Sequence, residues 1–174
     1  MDRRVALGKR IDTAAEVDRG RLGDAIHACI AAHLAMPDRP LEPDEVSAIL
    51  ERMGVAEGID AQSLHGQLEA VRSWVAQRWP GAQAMVELPV QQVTQEGQYL
   101  VGRADLVLRT ATGWVLIDHK SAPVGSSQWD SLAQAYGGQL AAYREALQAA
   151  SGLPVEAMWL VLPVAGAALR IEPR

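Results

Sequence analysis

From Gly102 to Ser121 the chain reads GRADLVLRTATGWVLIDHKS, and this stretch restricts the fold more than any other. Two apolar runs flank a short polar turn, the pattern of a β-hairpin. Leu106, Val107 and Leu108 in the first run, and Val115, Leu116 and Ile117 in the second, are apolar at consecutive positions. Strands of that kind are covered on both faces and lie centrally in a sheet. Yet Asp105, Asp118 and Lys120 stand at the ends of these runs.

A two-residue loop at Ala111-Thr112 sets Thr110 against Gly113 and, counted along the strands, Asp105 against Asp118. Side chains repeat every second residue, so Lys120 shares a face with Asp118. Like charges directly opposite each other are destabilising. In partly dry surroundings two carboxylates must share a proton, pair with a cation or bind a metal. Hard oxygen donors suit Mg²⁺ or Mn²⁺ better than zinc. A plain Asp–Lys ion pair on a solvated face is the simpler alternative. Glu87, in AMVELPV, is a third acid in an apolar strand, either another ligand or a surface acid on an edge.

The rest of the chain supplies layers for such a hairpin. Residues 1–20 show no period and are expected to be an irregular lead-in. Leu22, Ile26, Ile30 and Leu34, at steps of four, predict an amphipathic helix from Arg21 to Met36. A proline-rich loop follows, then a short helix over DEVSAILERMG with Gly54 at its stop. Asp60 is expected to cap a helix from Ala61 to Trp79. AMVELPVQQV, QYLVGRADLVLRT and GWVLIDHKS read as an antiparallel meander turning at Glu96-Gly97 and Ala111-Thr112. SLAQAYGGQLAAYREALQAASG is a helix, and VEAMWLVLP and ALRIEP are closing strands. The expected class is α/β (α+β), helices packed on a mixed sheet, as one domain: lead-in 1–20, helical region 21–80, catalytic core 81–174.

Composition removes several alternatives. Apolar residues make up 49% and charged residues 21% of the 174, enough to bury a core without phenylalanine. Cys29 is the single cysteine, which excludes an internal disulfide, a four-cysteine zinc site and a cysteine-ligated iron–sulfur cluster. The first twenty residues lack the apolar run of a secretory signal and no stretch is apolar enough to span a membrane, so a cytoplasmic protein is expected. There is no G-x-x-x-x-G-K-[ST] loop, hence no ATP site of that type. The net charge of −5 is unlike that of a protein gripping many phosphates. Only Lys9 and Lys120 are lysines among 16 basic residues, which gives a lysine in an apolar strand chemical interest.

Glu87, then GRAD with Asp105, then DHK with Asp118 and Lys120, resembles the PD-(D/E)XK nuclease superfamily. The element order agrees with that family's αβββαβ core. Gly23 and His27 in GDAIH resemble a G-x-x-x-H helix, and Gln139 and Tyr143 in QLAAY resemble a Q-x-x-x-Y helix. Both are motifs of RecB/AddA-type nuclease domains at the C-terminal ends of helicase–nucleases. His119 and Ser121 depart from the family's usual aromatic and Thr.

The resemblance implies a metal-dependent DNA nuclease, an exonuclease acting with a helicase, in cis or trans, in double-strand-break processing and recombinational repair. Asp105, Asp118, the backbone carbonyl of His119, His27 and Glu87 would hold one or two Mg²⁺ or Mn²⁺ ions. Because His119 alternates to the face opposite Asp118, only its carbonyl is expected to take part. Lys120 would orient water or stabilise the transition state. Gln139 and Tyr143, one helical turn apart, would reach DNA or brace the site. The implied partner is DNA, as single-stranded ends, with no membrane. Two alternatives remain: a non-catalytic nuclease-fold module that binds DNA or a subunit, and a phosphodiesterase on an unrelated scaffold.

Overall fold

The computed structural model describes residues 3–93, 97 and 99–172. Local signals set most element ends. Strand β1 is Arg4–Ala6, followed by helices α1 (Arg19–Ala35), α2 (Pro43–Arg52) and α3 (Ala61–Arg78). Asp18 caps α1 by accepting the Arg21 N–H at 3.0 Å, and Asp60 caps α3 by accepting that of Ser63 at 2.7 Å. Glu42 and Glu45 form a reciprocal capping box on α2, with Pro43 in its first turn. Strands β2 (Gln83–Val93), β3 (Tyr99–Arg109) and β4 (Trp114–His119) form the meander. Helix α4 (Trp129–Ser151) ends on Gly152 at φ 68°, and β5 (Val155–Leu162) and β6 (Ala167–Ile171) close the chain. The expected turn at Glu96-Gly97 falls mostly outside the described residues.

The six strands lie in the order β1-β6-β5-β4-β3-β2. Only β4 and β5 are parallel, joined through α4, as a parallel pair requires a crossover. Helices α1 to α3 cover one face, where Leu106, Leu108, Val115, Ile117 and Trp159 join Ile26, Val46 and Leu64. On the other face Val107, Leu116, Leu160 and Leu169 join Leu140 and Tyr143 of α4. The consecutive apolar positions of β3 and β4 thus feed two cores, each large side chain contributing about 1.5–3 kcal/mol on burial. No helix among the described residues is long and apolar enough to cross a membrane.

The N-terminal segment is not the irregular lead-in expected. Arg4–Ala6 pairs antiparallel with β6, Leu7 and Ile11 are buried, and the Leu7 and Ile11 N–H groups donate to Gly166 and Val164 carbonyls. A three-residue edge strand is too short to show a period, which is why the sequence pattern hid it.

Candidate active site

The hairpin register is the expected one. Leu106 pairs with Ile117 and Arg109 with Trp114, and the Thr110 N–H donates to the Gly113 carbonyl at 3.0 Å. The ladder ends one position before the aspartates. There Asp105 Oδ2 accepts the His119 backbone N–H at 2.8 Å, so a carboxylate replaces a strand carbonyl.

A second irregularity lies on the neighbouring pair. Strands β2 and β3 pair without interruption except opposite Asp105, where Glu87 drops out of the ladder at φ 54°. It is the single non-glycine residue with positive φ among those described. Val86 packs with the α1–α3 core but Leu88 with the α4 core; Leu106 and Ala104 divide the same way. Residues two apart should share a face. The pleat therefore changes phase at Glu87 and Asp105 together, and both carboxylates sit at that twist. Glu87 turns toward α1, bonded through Oε1 to His27 Nε2, with Arg103 3.3 Å from its other oxygen. Left-handed backbone at a glutamate carries strain of the kind concentrated at functional sites.

His27 arrives from α1 because α1 runs close to the loop after β4. A Cβ on Gly23 would stand 2.9 Å from Ser121 Oγ, so a larger residue would push the helix away. His27 Nε2 lies 3.6 Å from Asp105 Oδ1. Across the strand, Lys120 Nζ is 2.8 Å from Asp118 Oδ2 and 4.6 Å from the centroid of the Tyr136 ring. The Lys120 N–H donates to the Val161 carbonyl, and Arg10 donates to the Pro123 carbonyl at 2.6 Å, fixing the loop that follows.

The two aspartates differ electrostatically. Burial alone would raise Asp105, but the imidazole and backbone N–H of His119, then His27, outweigh it and hold this carboxyl well below the usual range. Asp118 is pushed up to about 6 by burial, then by the charge of Asp105, with Lys120 opposing. Burial disfavours the charged form of Lys120, yet its hydrogen bond and attraction to Asp118 leave its pKa raised, so the amine is a cation.

One expectation changes. His119 was expected to offer only its carbonyl, but its ring, 4% exposed, brings Nδ1 to 3.5 Å from Asp105 Oδ2. The twist at Asp105 makes this possible, since simple alternation no longer separates the two side chains. Tyr143 is buried, accepts a hydrogen bond from Gln139 Nε2 at 3.1 Å, and packs on Gly102, where any Cβ would collide with it. Tyr143 thus packs against β3, and Tyr136, one turn before Gln139, is the aromatic that meets Lys120.

A model of the PD-(D/E)XK nuclease superfamily matches residues 3–172. The chain belongs to that superfamily. No curated protein matches it. The mixed six-stranded sheet flanked by four helices is consistent with a PD-(D/E)XK fold. Nucleases of this superfamily generally use divalent metals, and the donors here suit one. Asp118 Oδ2 is buried with Lys120 Nζ 2.8 Å away, and His119 Nε2 is buried without a hydrogen-bond partner among the described residues. Ligand atoms of His27, Asp105 and His119 all lie within 4.8 Å of one another. Beside them a cavity of about 180 Å³ is lined by Gly23, His27, His119, Lys120 and Ser121.

Proposed function

We propose that this PD-(D/E)XK nuclease is a Mg²⁺- or Mn²⁺-dependent deoxyribonuclease of the RecB/AddA type. It would act as an exonuclease on single-stranded ends delivered by a helicase, in cis or trans, during double-strand-break repair in the cytoplasm. The observation that carries this reading is Asp105 flanked on one side by His27, itself bonded to Glu87, and on the other by Asp118, which is paired with the Lys120 amine. Asp105, Asp118, His27, Glu87 and the His119 carbonyl would hold the cation. A bound divalent ion polarises a phosphate and lowers the pKa of water. Lys120, charged and steadied by Tyr136, would stabilise the growing negative charge on the phosphate oxygens. Gln139 and Tyr143 would keep β3 in place. A chain of net charge −5 holds DNA weakly alone, which agrees with delivery by a motor that this sequence does not contain.

Labelled linear and circular single-stranded DNA, with Mg²⁺ or Mn²⁺, tests the proposal. Linear DNA should be degraded by the wild type, and not by Lys120→Ala or Asp118→Ala. Equal cleavage in EDTA, or by either variant, would overturn it; cutting of circles would make the enzyme an endonuclease instead.

A further inference from the structure

We propose that the His119 imidazole is itself a metal ligand, adding a second imidazole beside His27 to the carboxylates named above, a donor set that favours Mn²⁺ and other transition metals over Mg²⁺. This deepens the reading above and rests on its claim that a divalent cation occupies this site.

Three observations carry it. The His119 side chain is 4% exposed, and a ring nitrogen of it groups with one of His27 and a carboxylate oxygen of Asp105 within 4.8 Å of one another. Asp105 stands between the two rings: His119 Nδ1 lies 3.5 Å from Oδ2 and His27 Nε2 lies 3.6 Å from Oδ1. Such separations are long for charge-assisted hydrogen bonds, and near the roughly 3.0–3.4 Å between atoms sharing a metal about 2.1 Å away. The rings meet edge-on, 6.0 Å between centroids at 82°, and so are not stacked face to face.

The donor chemistry then sets the preference. Mg²⁺ keeps oxygen ligands and several waters, whereas imidazole suits manganese, iron, cobalt and zinc. A second imidazole therefore raises affinity for the transition ions and does nothing for Mg²⁺. The rival role for His119 is to brace Asp105, through the backbone N–H already bonded to Oδ2 and through the ring. Bracing would assist every divalent ion alike.

The experiment uses the whole chain, stripped with chelator, titrated calorimetrically with Mg²⁺, Mn²⁺ and Co²⁺, and followed by Co²⁺ absorption and pulsed EPR of bound Mn²⁺. Wild type should bind Mn²⁺ and Co²⁺ at least about tenfold more tightly than Mg²⁺, with nitrogen couplings from two imidazoles. His119→Phe should lose about 10–100-fold for Mn²⁺ and Co²⁺, leave Mg²⁺ within about twofold, and show one imidazole. His119→Gln gives the same ratio should the Phe variant fold poorly. Equal losses for all three ions, or two imidazoles still coupled in the variant, would overturn the inference while leaving the metal site standing. Absence of any divalent binding by wild type, or binding that Asp118→Asn does not weaken, would overturn both.

Discussion

Helix α1 carries two histidines, His27 and His33, and each meets a second imidazole edge-on beside a carboxylate. His27 faces His119 at 6.0 Å near Asp105, and His33 faces His65 at 5.8 Å near Glu69. By residue type both are metal sites, with ligand atoms grouped within 4.8 Å in each. The chemistry separates them. His33 Nδ1 accepts the Leu41 N–H at 3.1 Å, so its proton must sit on Nε2, which lies 2.9 Å from Glu69 Oε1. His65 Nε2 is 2.9 Å from the Leu41 carbonyl, and Arg72 pairs with Glu69 at 2.9 Å. No lone pair on His33 remains for a cation, and the charges are matched within the cluster. At the sheet, two buried carboxylates confront each other, and burial with the charge of Asp105 pushes Asp118 up to about 6. Proximity of ligand types says little; unmatched charge says more.

The largest effects should separate the clusters by function. Lys120→Met should reduce cleavage by about 10²–10³-fold. Asp118→Asn should reduce it at least as far while leaving the metal-free protein as stable as wild type or more so, because it removes a buried charge beside Asp105. Cleavage rates and calorimetric melting check both. His33→Ala should do the reverse. It empties a fully buried site and orphans the Leu41 N–H, costing about 2–4 kcal/mol in denaturant titration, with cleavage per folded molecule unchanged. A matching loss of cleavage in that variant would erase the distinction.

What the sequence revealed follows the same division. The hairpin register, the Asp60 cap and the lysine beside Asp118 rest on period, turn length and local hydrogen bonds, all written within a few residues. The position of the His119 ring beside Asp105 was hidden because it depends on the phase change at Glu87 and Asp105. Glycine and asparagine announce positive φ, but glutamate does not. Gly102 and Tyr143 lie on different elements, and nothing local tells that one is small because the other is large. Strand β1 was hidden by its brevity.

The strained glutamate allows one substitution to be read with two outcomes. At Glu87, glycine relieves about 1–2 kcal/mol of left-handed strain. Against this stand about 0.5–1 kcal/mol of added chain entropy and a partly exposed pair with His27 and Arg103. Glu87→Gly should therefore melt within about 0.5 kcal/mol of wild type, though it removes a proposed ligand. Glu69→Gly gains no such relief. It sits inside α3 and gives up its contacts with His33 and Arg72, so it should lose about 1–2 kcal/mol. Equal losses at the two positions would mean that Glu87 bears no strain.

The smallest effect is a slope, and its sign differs between the clusters. Burial lowers the pKa of His33 in spite of Glu69, so the unfolded chain takes up the proton first. Its contribution to stability is complete above the unfolded value near 6.5 and declines as pH falls, by at most about 0.7 kcal/mol between pH 7 and 6. Asp118 acts oppositely. Its folded pKa is raised to about 6 from an ordinary 3.8, so acidification through pH 6 protonates the folded form first and relieves repulsion with Asp105. In metal-free wild type the two slopes offset each other from pH 7 to 5. In Asp118→Asn the His33 term stands alone, and stability should fall on acidification. In His33→Gln the Asp118 term stands alone, and stability should rise. Denaturant midpoints at three pH values read both variants, and slopes of the same sign would show that the aspartate pair does not hold a proton as its burial demands.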